Sequence, residues 1–432
     1  MLEPEKIFQQ RYQLKQKLAQ NAGRQTWLAE DISIQPAETV ILKFLAFSEQ
    51  FQWQDLKLFE READILKQLS HPGIPDYLDY FTIDDNNNWF ALVQECIPGE
   101  SLKQLIENKQ RFTEKELRNI ATDILEILCY LHTLNPPVIH RDIKPSNLML
   151  GKDKRVYLID FGAVQDSAAA QGATFTVVGT YGYAPVEQFG GRTVPASDLY
   201  ALGATLINLA TGRVPADLPQ KKMRIQFQDK VSLSPSFVRW IEKLTEPDIE
   251  QRFSSASQAL EALNCRLAIN ASYEATKSQA KPIKLNKSDN YLEIEIPPRG
   301  FKFDDTFMIL FFIVWFSLLS SIFSPFITIF FWGFGLYILN LFLFANYGHF
   351  SLRLNPENFV IKWKLFSFTY EKIGKTPAIH NIGSSRTYFR FNGKTLKMIS
   401  MAAGAKTYNF GAFISDIERK WLAEEIKDWL GI

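Results

Sequence analysis

Residues 306 to 352, TFMILFFIVWFSLLSSIFSPFITIFFWGFGLYILNLFLFANYGHFSL, hold 47 positions without one Asp, Glu, Lys or Arg. A hydrocarbon core roughly 30 Å thick takes about 20 helical residues, so the stretch exceeds one crossing by a factor of about two. Ser324-Pro325 lies near its middle and reads as a turn. The expectation is a hairpin of two transmembrane helices within 306–346, at about 307–323 and 326–345, rather than a soluble core helix, which would carry a polar face. Arg299 and Lys302 precede the stretch, and Arg353, Lys362 and Lys364 follow it. Basic residues on both flanks place both ends on the cytoplasmic side of a cell membrane.

The remaining composition narrows the choices. A chain of 432 residues is too long for one ordinary core, which predicts two or three domains. Forty-eight basic residues against forty-seven acidic ones give a net charge of +1, and so no field to attract nucleic acid. Cys96, Cys129 and Cys265 lie far apart without metal-ligand spacing, which fits a reducing compartment and packing roles. The first residues, MLEPEKIFQQRYQLKQKL, lack the apolar core of a signal peptide, so the first domain is expected in the cytosol.

Residues 8–264 read as globular, and 265–290 as a polar linker. In 291–305, YLEIEIPP alternates apolar and acidic positions as a half-buried strand does. Within 347–432, FSLRL, FVIKWKLFSFTY, RTYFRF, TLKMISM and KTYNF read as further strands. A capping box from Ser415 to Glu418 opens a final amphipathic helix. That inventory resembles the bacterial pleckstrin-homology-like module, here one small sheet split by the membrane hairpin.

The chemistry is concentrated in VIHRDIKPSNLML, 138–150, where Arg141, Asp142 and Lys144 interrupt two apolar runs. Unpaired charges stay out of a buried strand, so this is a loop. The aspartate stands five residues before Asn147, and thirteen residues after Asn147 an apolar strand ends in Asp160-Phe161-Gly162. One carboxylate to orient a hydroxyl, and a second with an amide oxygen to hold hard cations, are what phosphoryl transfer needs.

In order and spacing these motifs resemble the protein kinase family, and the wording around GTYGYAPVEQFGGRTVPASDLYALGATL is similar to membrane-attached serine/threonine kinases of cyanobacteria. The resemblance covers about 8–264 and implies an α+β fold with a bilobal catalytic domain, its small lobe about 8–97 and its large lobe about 98–264, that binds ATP and Mg2+ and acts on Ser or Thr of protein substrates. Catalytic roles carry over to Asp142, Lys144 and Thr180, and metal binding to Asn147 and Asp160. Lys43 in TVILKFL would grip the phosphates, paired with Glu62. Nucleotide contacts would come from Leu18, Thr26 and Ile41, and from the backbone around Glu95 and Ile97, with Gln94 as gatekeeper. Glu187 would pair with Arg252, and Asp198 would brace the catalytic loop. Arg141 would meet a phosphorylated Thr174 or Thr176, with ordinary polar loop threonines as the alternative, and a dimer could place the phosphate in trans.

One part departs from the pattern. The loop expected to be rich in glycine reads KLAQNAGRQTWLAED, putting Ala19, Asn21 and Arg24 at the glycine positions, with Gly23 out of register. Arg24 is expected to face solvent, with a place beside the phosphates as the alternative. Ile41 replaces the alanine usual against adenine. These departures keep open a second reading, a pseudokinase serving as a membrane-bound scaffold.

Overall fold

In ETVILKFLA, Val40, Leu42 and Phe44 alternate with Ile41, Lys43 and Leu45, so a strand here must present two unlike faces. The computed structural model of the chain places this segment in the middle of an antiparallel sheet. It describes residues 2–21, 23–46, 53–83, 89–166, 179–264, 283–288, 290–298, 305–322, 347–391, 394–412 and 414–431, with scattered positions between 329 and 343. The chain forms two compact units, Met1–Asn264 and Cys265–Ile432.

The first unit opens with β1 (Ile7–Phe8), β2 (Tyr12–Asn21), β3 (Arg24–Asp31), β4 (Glu38–Ala46), α1 (Trp53–Gln68), β5 (Tyr77–Ile83) and β6 (Trp89–Glu95). The six strands lie in the order β1-β2-β3-β4-β6-β5. Trp27, Val40, Leu42, Phe44, Ala91 and Val93 form one buried cluster on one face of the sheet. On the other face, Leu45 and Leu92 join Leu56, Phe59, Ala63 and Leu66, which recur at helical spacing along α1. Lys43 shares that second face, because strand side chains alternate and Thr26 pairs with Lys43 across the ladder.

Below the sheet come β7 (Gly99–Ser101), α2 (Leu102–Glu107), α3 (Glu114–Thr133), β8 (Val138–Ile139), β9 (Leu148–Gly151), β10 (Val156–Leu158) and β11 (Gln165–Asp166). After them follow α4 (Val186–Phe189), α5 (Pro195–Thr211), β12 (Gln220–Lys221), β13 (Arg224–Ile225), α6 (Pro235–Leu244) and α7 over 256–264. Thr113 caps α3 in a reciprocal box with Glu116. Pro195 starts α5, and Gly212 ends it in the left-handed region at φ 68°. Leu117, Ile124 and Leu128 of α3 are buried with Leu202 and Leu206 of α5 and Phe237 and Ile241 of α6. This helical core is the rigid base that carries the β8–β9 loop.

In the second unit, β14 (Lys284–Lys287), β15 (Leu292–Ile296), α8 (Asp305–Ile322), β16 (His349–Leu354), β17 (Asn358–Leu365), β18 (Phe368–Lys375), β19 (Ile379–Phe391), β20 (Lys394–Ala403), β21 (Lys406–Phe410) and α9 (Asp416–Leu430) follow in turn. Strands β14 to β18 form one antiparallel sheet and β19 to β21 another. Ile296 pairs with Phe350, so the strands on either side of the apolar stretch are ladder neighbours. Leu422 and Ile426 of α9 are buried with Ile379, Ile382, Ile399 and Met401.

Three sequence expectations change here. The end of the 265–290 linker is a strand: Lys284 pairs with Glu295 and Ile283 is buried, because its apolar side chain reaches the core once β15 offers a ladder. Residues 265–282 lie outside the described ones. FVIKWKLFSFTY is two strands rather than one, turning at Phe366-Ser367, with Phe366 at φ 52° where no glycine signalled a turn. The first apolar helix is α8, 18 residues long, and at about 1.5 Å per residue it falls short of a core of roughly 30 Å. Among the described residues no helix is long and apolar enough to cross a membrane, so the two expected spans are not found there. The Ser324-Pro325 turn and most of 326–345 lie outside the described residues.

Candidate active site

Lys43 projects from β4 toward α1 and the loop after β10. Its Nζ donates to Glu62 Oε1 at 2.5 Å and stands 3.5 Å from Asp160 Oδ1. Glu62 is buried on α1, while the Asp160 side chain is 47% exposed and opens to the cleft between the two layers. Burial disfavours the Lys43 charge, but Asp160 and Glu62 outweigh it and raise the ammonium pKa. Burial raises the Glu62 carboxyl, against the pull of Lys43 and, more weakly, of Arg24. The Lys43 charge pulls Asp160 down to about 2, overcoming burial, with help from the Gly162 N–H, which donates to Asp160 Oδ1 at 3.1 Å.

The β8–β9 loop gathers the second group. Asp142 accepts from Thr180 Oγ1 through Oδ1 at 2.8 Å and from Asn147 Nδ2 through Oδ2 at 2.9 Å. Lys144 Nζ lies 2.7 Å from Asp142 Oδ2 and donates to Thr180 Oγ1 at 2.8 Å. The Ile159 N–H donates to Asn147 O at 3.0 Å, tying this loop to the strand that ends at Asp160.

Backbone strain in the loop has an identifiable support. Arg141 sits at φ 71°, a costly conformation for a residue with a Cβ. Asp198, fully buried at the start of α5, accepts from the backbone N–H of His140 at 2.9 Å and of Arg141 at 2.8 Å. Burial opposes the Asp198 charge, yet hydrogen bonding to His132 and the nearby imidazoles leave its pKa lowered. Behind it, Glu187 and Arg252 pair at 2.7 Å, and Ser197 Oγ donates to Glu187 at 2.9 Å.

Two supports escaped the sequence reading. His132 at the end of α3 contacts Asp198 at 2.9 Å, and Gln188 Nε2 donates to Arg141 O at 2.6 Å. Their signal was slight: a lone imidazole closing an apolar helix, and an amide beside Glu187. Arg24 also differs from expectation. Its Nη1 lies 3.7 Å from where a Cβ on Gly162 would be, so the guanidinium is in the cleft beside Asp160 and Glu62 instead of in solvent. It points there because Arg24 shares a face of β3 with Thr26, and Thr26 shares one with Lys43.

The cleft suits a nucleotide and a hard cation. At its back, Gln94 is buried and its Oε1 has no partner, an acceptor awaiting a donor beside Ile41, its ladder neighbour. Ile97 is buried, Leu18 is half-exposed, and Thr26 and Ile41 are half-buried. The Glu95 backbone N–H donates to Asp76 O at 2.9 Å, where the chain enters β5. Asp160 Oδ2 accepts no hydrogen bond among the described residues, and Asn147 Oδ1 accepts only from Ser146 Oγ at 3.1 Å. Both are hard oxygen donors of the kind Mg2+ takes. No group of three His, Cys, Asp or Glu side chains gathers among the described residues, so such an ion would complete its shell from phosphates and water. Thr174 and Thr176, the expected modification sites, lie outside the described residues, as does Cys265, while Cys96 and Cys129 are unpaired.

Comparison with known proteins agrees with this geometry. Residues 26–264 match the model of the protein kinase domain. Serine/threonine-protein kinase B of Synechocystis sp. is 39% identical over 220 residues, covering 48% of this chain and 38% of that protein. PknA of Nostoc sp. is 35% identical over 274 residues, covering 60% and 48%. PrkC of Bacillus subtilis is 31% identical over 232 residues, covering 53% and 35%. The chain thus spans less than half the length of each of these relatives.

Proposed function

The chain belongs to the protein kinase family, and from that premise we propose that it is a membrane-anchored serine/threonine kinase moving the γ-phosphoryl group of ATP to protein hydroxyls. The observation that carries this reading is the closed set Asp142, Lys144, Asn147 and Thr180, joined at 2.7 to 2.9 Å and tied to the strand before Asp160 by the Ile159 N–H on Asn147 O. Lys43, held by Glu62, reaches the phosphates of the bound nucleotide. Asp142 orients the substrate hydroxyl, whose oxygen forms the new bond to Pγ as the bond from Pγ to the bridging oxygen of ADP breaks; the hydroxyl proton goes to Asp142. Lys144 offsets charge on the phosphoryl oxygens in transit. Asp160 and Asn147 would hold Mg2+, which neutralises phosphate charge when bound. Thr180, bonded to both Asp142 and Lys144, supports a serine or threonine acceptor. The family resemblance favours cyanobacterial-type signalling through protein substrates, with dimers for phosphorylation in trans.

Membrane anchoring rests on the charge-free composition of 306–352 and on exposed apolar side chains along α8, among them Phe311, Ile313 and Val314. Register adds support. Ile296 pairs with Phe350, and His349 with Lys364, so the chain leaves and rejoins the sheet at the end that carries the 365–368 turn. Phe366 and Phe368 of that turn are exposed, as bilayer-facing aromatics would be. Both units are then cytoplasmic.

Two measurements test the proposal. Radiolabelled ATP transfer by the full chain with Mg2+ should fall at least a hundredfold (an order-of-magnitude expectation for a lost catalytic carboxylate) in Asp142→Asn. Equal transfer by wild type and variant would favour the scaffold reading, which the three side chains at the glycine positions suggest. A C-terminal tag on cytoplasm-facing sealed vesicles should be open to protease; protection would put that end outside and refute a two-span return.

A further inference from the structure

We propose that Arg24 is a phosphate-binding residue, a side-chain cation doing in this chain what close backbone N–H groups of a glycine-rich loop do. The inference rests on the nucleotide reading above and deepens it.

Three observations converge. The first is the hairpin itself. Asn21 and Arg24 are the last ladder pair between β2 and β3, and Gly23 takes the turn at φ 76°. That is the job a glycine does best, but it spends the only glycine on geometry. Ala19, Asn21 and Arg24 all carry side chains where a phosphate-cradling loop keeps its backbone bare. Each such side chain narrows the approach to the backbone N–H groups.

The second is direction. The β3–β4 register puts Arg24, Thr26 and Lys43 on one face of the sheet, and the guanidinium comes within 3.7 Å of the open side of Gly162. A side chain on Gly162 would meet Glu62 Oε2 at 3.2 Å and Asp160 Oδ1 at 3.4 Å, so the guanidinium stands at the rim of the acidic pair.

The third is charge. Glu62 and Asp160 carry two negative charges against the single positive charge of Lys43. Among the described residues, the Arg24 guanidinium makes no hydrogen bond and no ion pair within 4.0 Å; it belongs to a half-buried residue facing the cleft. A guanidinium presents a planar fork of donors that matches phosphate oxygens two at a time, which an ammonium does not. Di- and triphosphate ends are the ligand chemistry that fits. Adenosine, which has none, would not engage it.

Affinities of the full chain in detergent for ADP and for adenosine, read by calorimetry, test the assignment. Arg24→Ala should weaken ADP binding roughly tenfold or more, the range for loss of a charged hydrogen-bonding group, and leave adenosine within about twofold. Arg24→Lys should recover part of the ADP affinity, because the charge returns without the fork. Unchanged or tighter ADP binding by Arg24→Ala, with the wild type binding normally, would overturn the proposal alone by making Arg24 inert or obstructive. Equal losses for ADP and adenosine would also overturn it, in favour of a purely structural role. A wild type that binds neither compound would take the nucleotide reading down as well.

Discussion

Arg252 is fully buried, and its removal would strand a carboxylate. Its guanidinium donates to both oxygens of Glu187, at 2.7 and 3.2 Å, and to three backbone carbonyls, Glu246 O at 2.5 Å, Ala196 O at 3.1 Å and Pro247 O at 3.1 Å. Glu187 keeps only 10% exposure, so in Arg252→Met its charge loses its partner without gaining water. Breaking one side of a buried pair costs about 3–5 kcal/mol. For a unit of this size, a loss of that order lowers the unfolding midpoint by on the order of 10 °C. The double variant Glu187→Leu with Arg252→Met removes both charges and should recover roughly 2 kcal/mol or more of the loss, since the desolvated carboxylate is gone. Scanning calorimetry of wild type, both single variants and the double closes the cycle. A double variant no more stable than Arg252→Met alone would refute the reasoning, because it would assign the cost to the orphaned carbonyls or to packing and not to the unpaired charge.

Other outcomes follow from the same geometry. Asp160 is held at about 2 against an ordinary 3.8, so it contributes stability above about pH 4 that disappears as pH falls toward 2. Because the side chain is half-exposed, screening cuts that contribution to about 1 kcal/mol or less. Lys43→Met should flatten stability across this window, and an unchanged acid limb would show that Lys43 is not the cause. Asp198→Asn replaces one acceptor by a donor against the His140 and Arg141 amides. It should lower kcat at least tenfold with the KM for ATP nearly constant, and cost about 1–3 kcal/mol of stability. A variant with a raised KM and normal kcat would place Asp198 outside the support of the loop.

How much of this was written in the chain depends on the distance over which each constraint acts. The order His140-Arg141-Asp142, Asn147 and Asp160-Phe161-Gly162 is legible because one loop and one strand must present those groups within a few residues. Lys43 is legible only through its place in the family pattern, since a lone lysine on a strand is ordinarily a surface residue; the fold then pairs it with Glu62 at 2.5 Å. The alternation in YLEIEI and the capping box at Ser415 likewise depend on neighbours in the chain, and they appear as β15 and the start of α9.

Contacts set by register across distant segments were settled only by the folded chain. Whether Arg24 faces solvent or cleft depends on which strand face meets α1, and periodicity in KLAQNAGRQTW does not say. His132 and Gln188 became part of the loop's support because α3 and α4 bring them to Asp198 and Arg141. A strand at 284–287 exists because β15 offers it an edge, and the turn at Phe366 because two strands need to reverse there, at the expense of a left-handed residue. Local spacing therefore named the chemistry, while long-range packing chose the direction in which each side chain points.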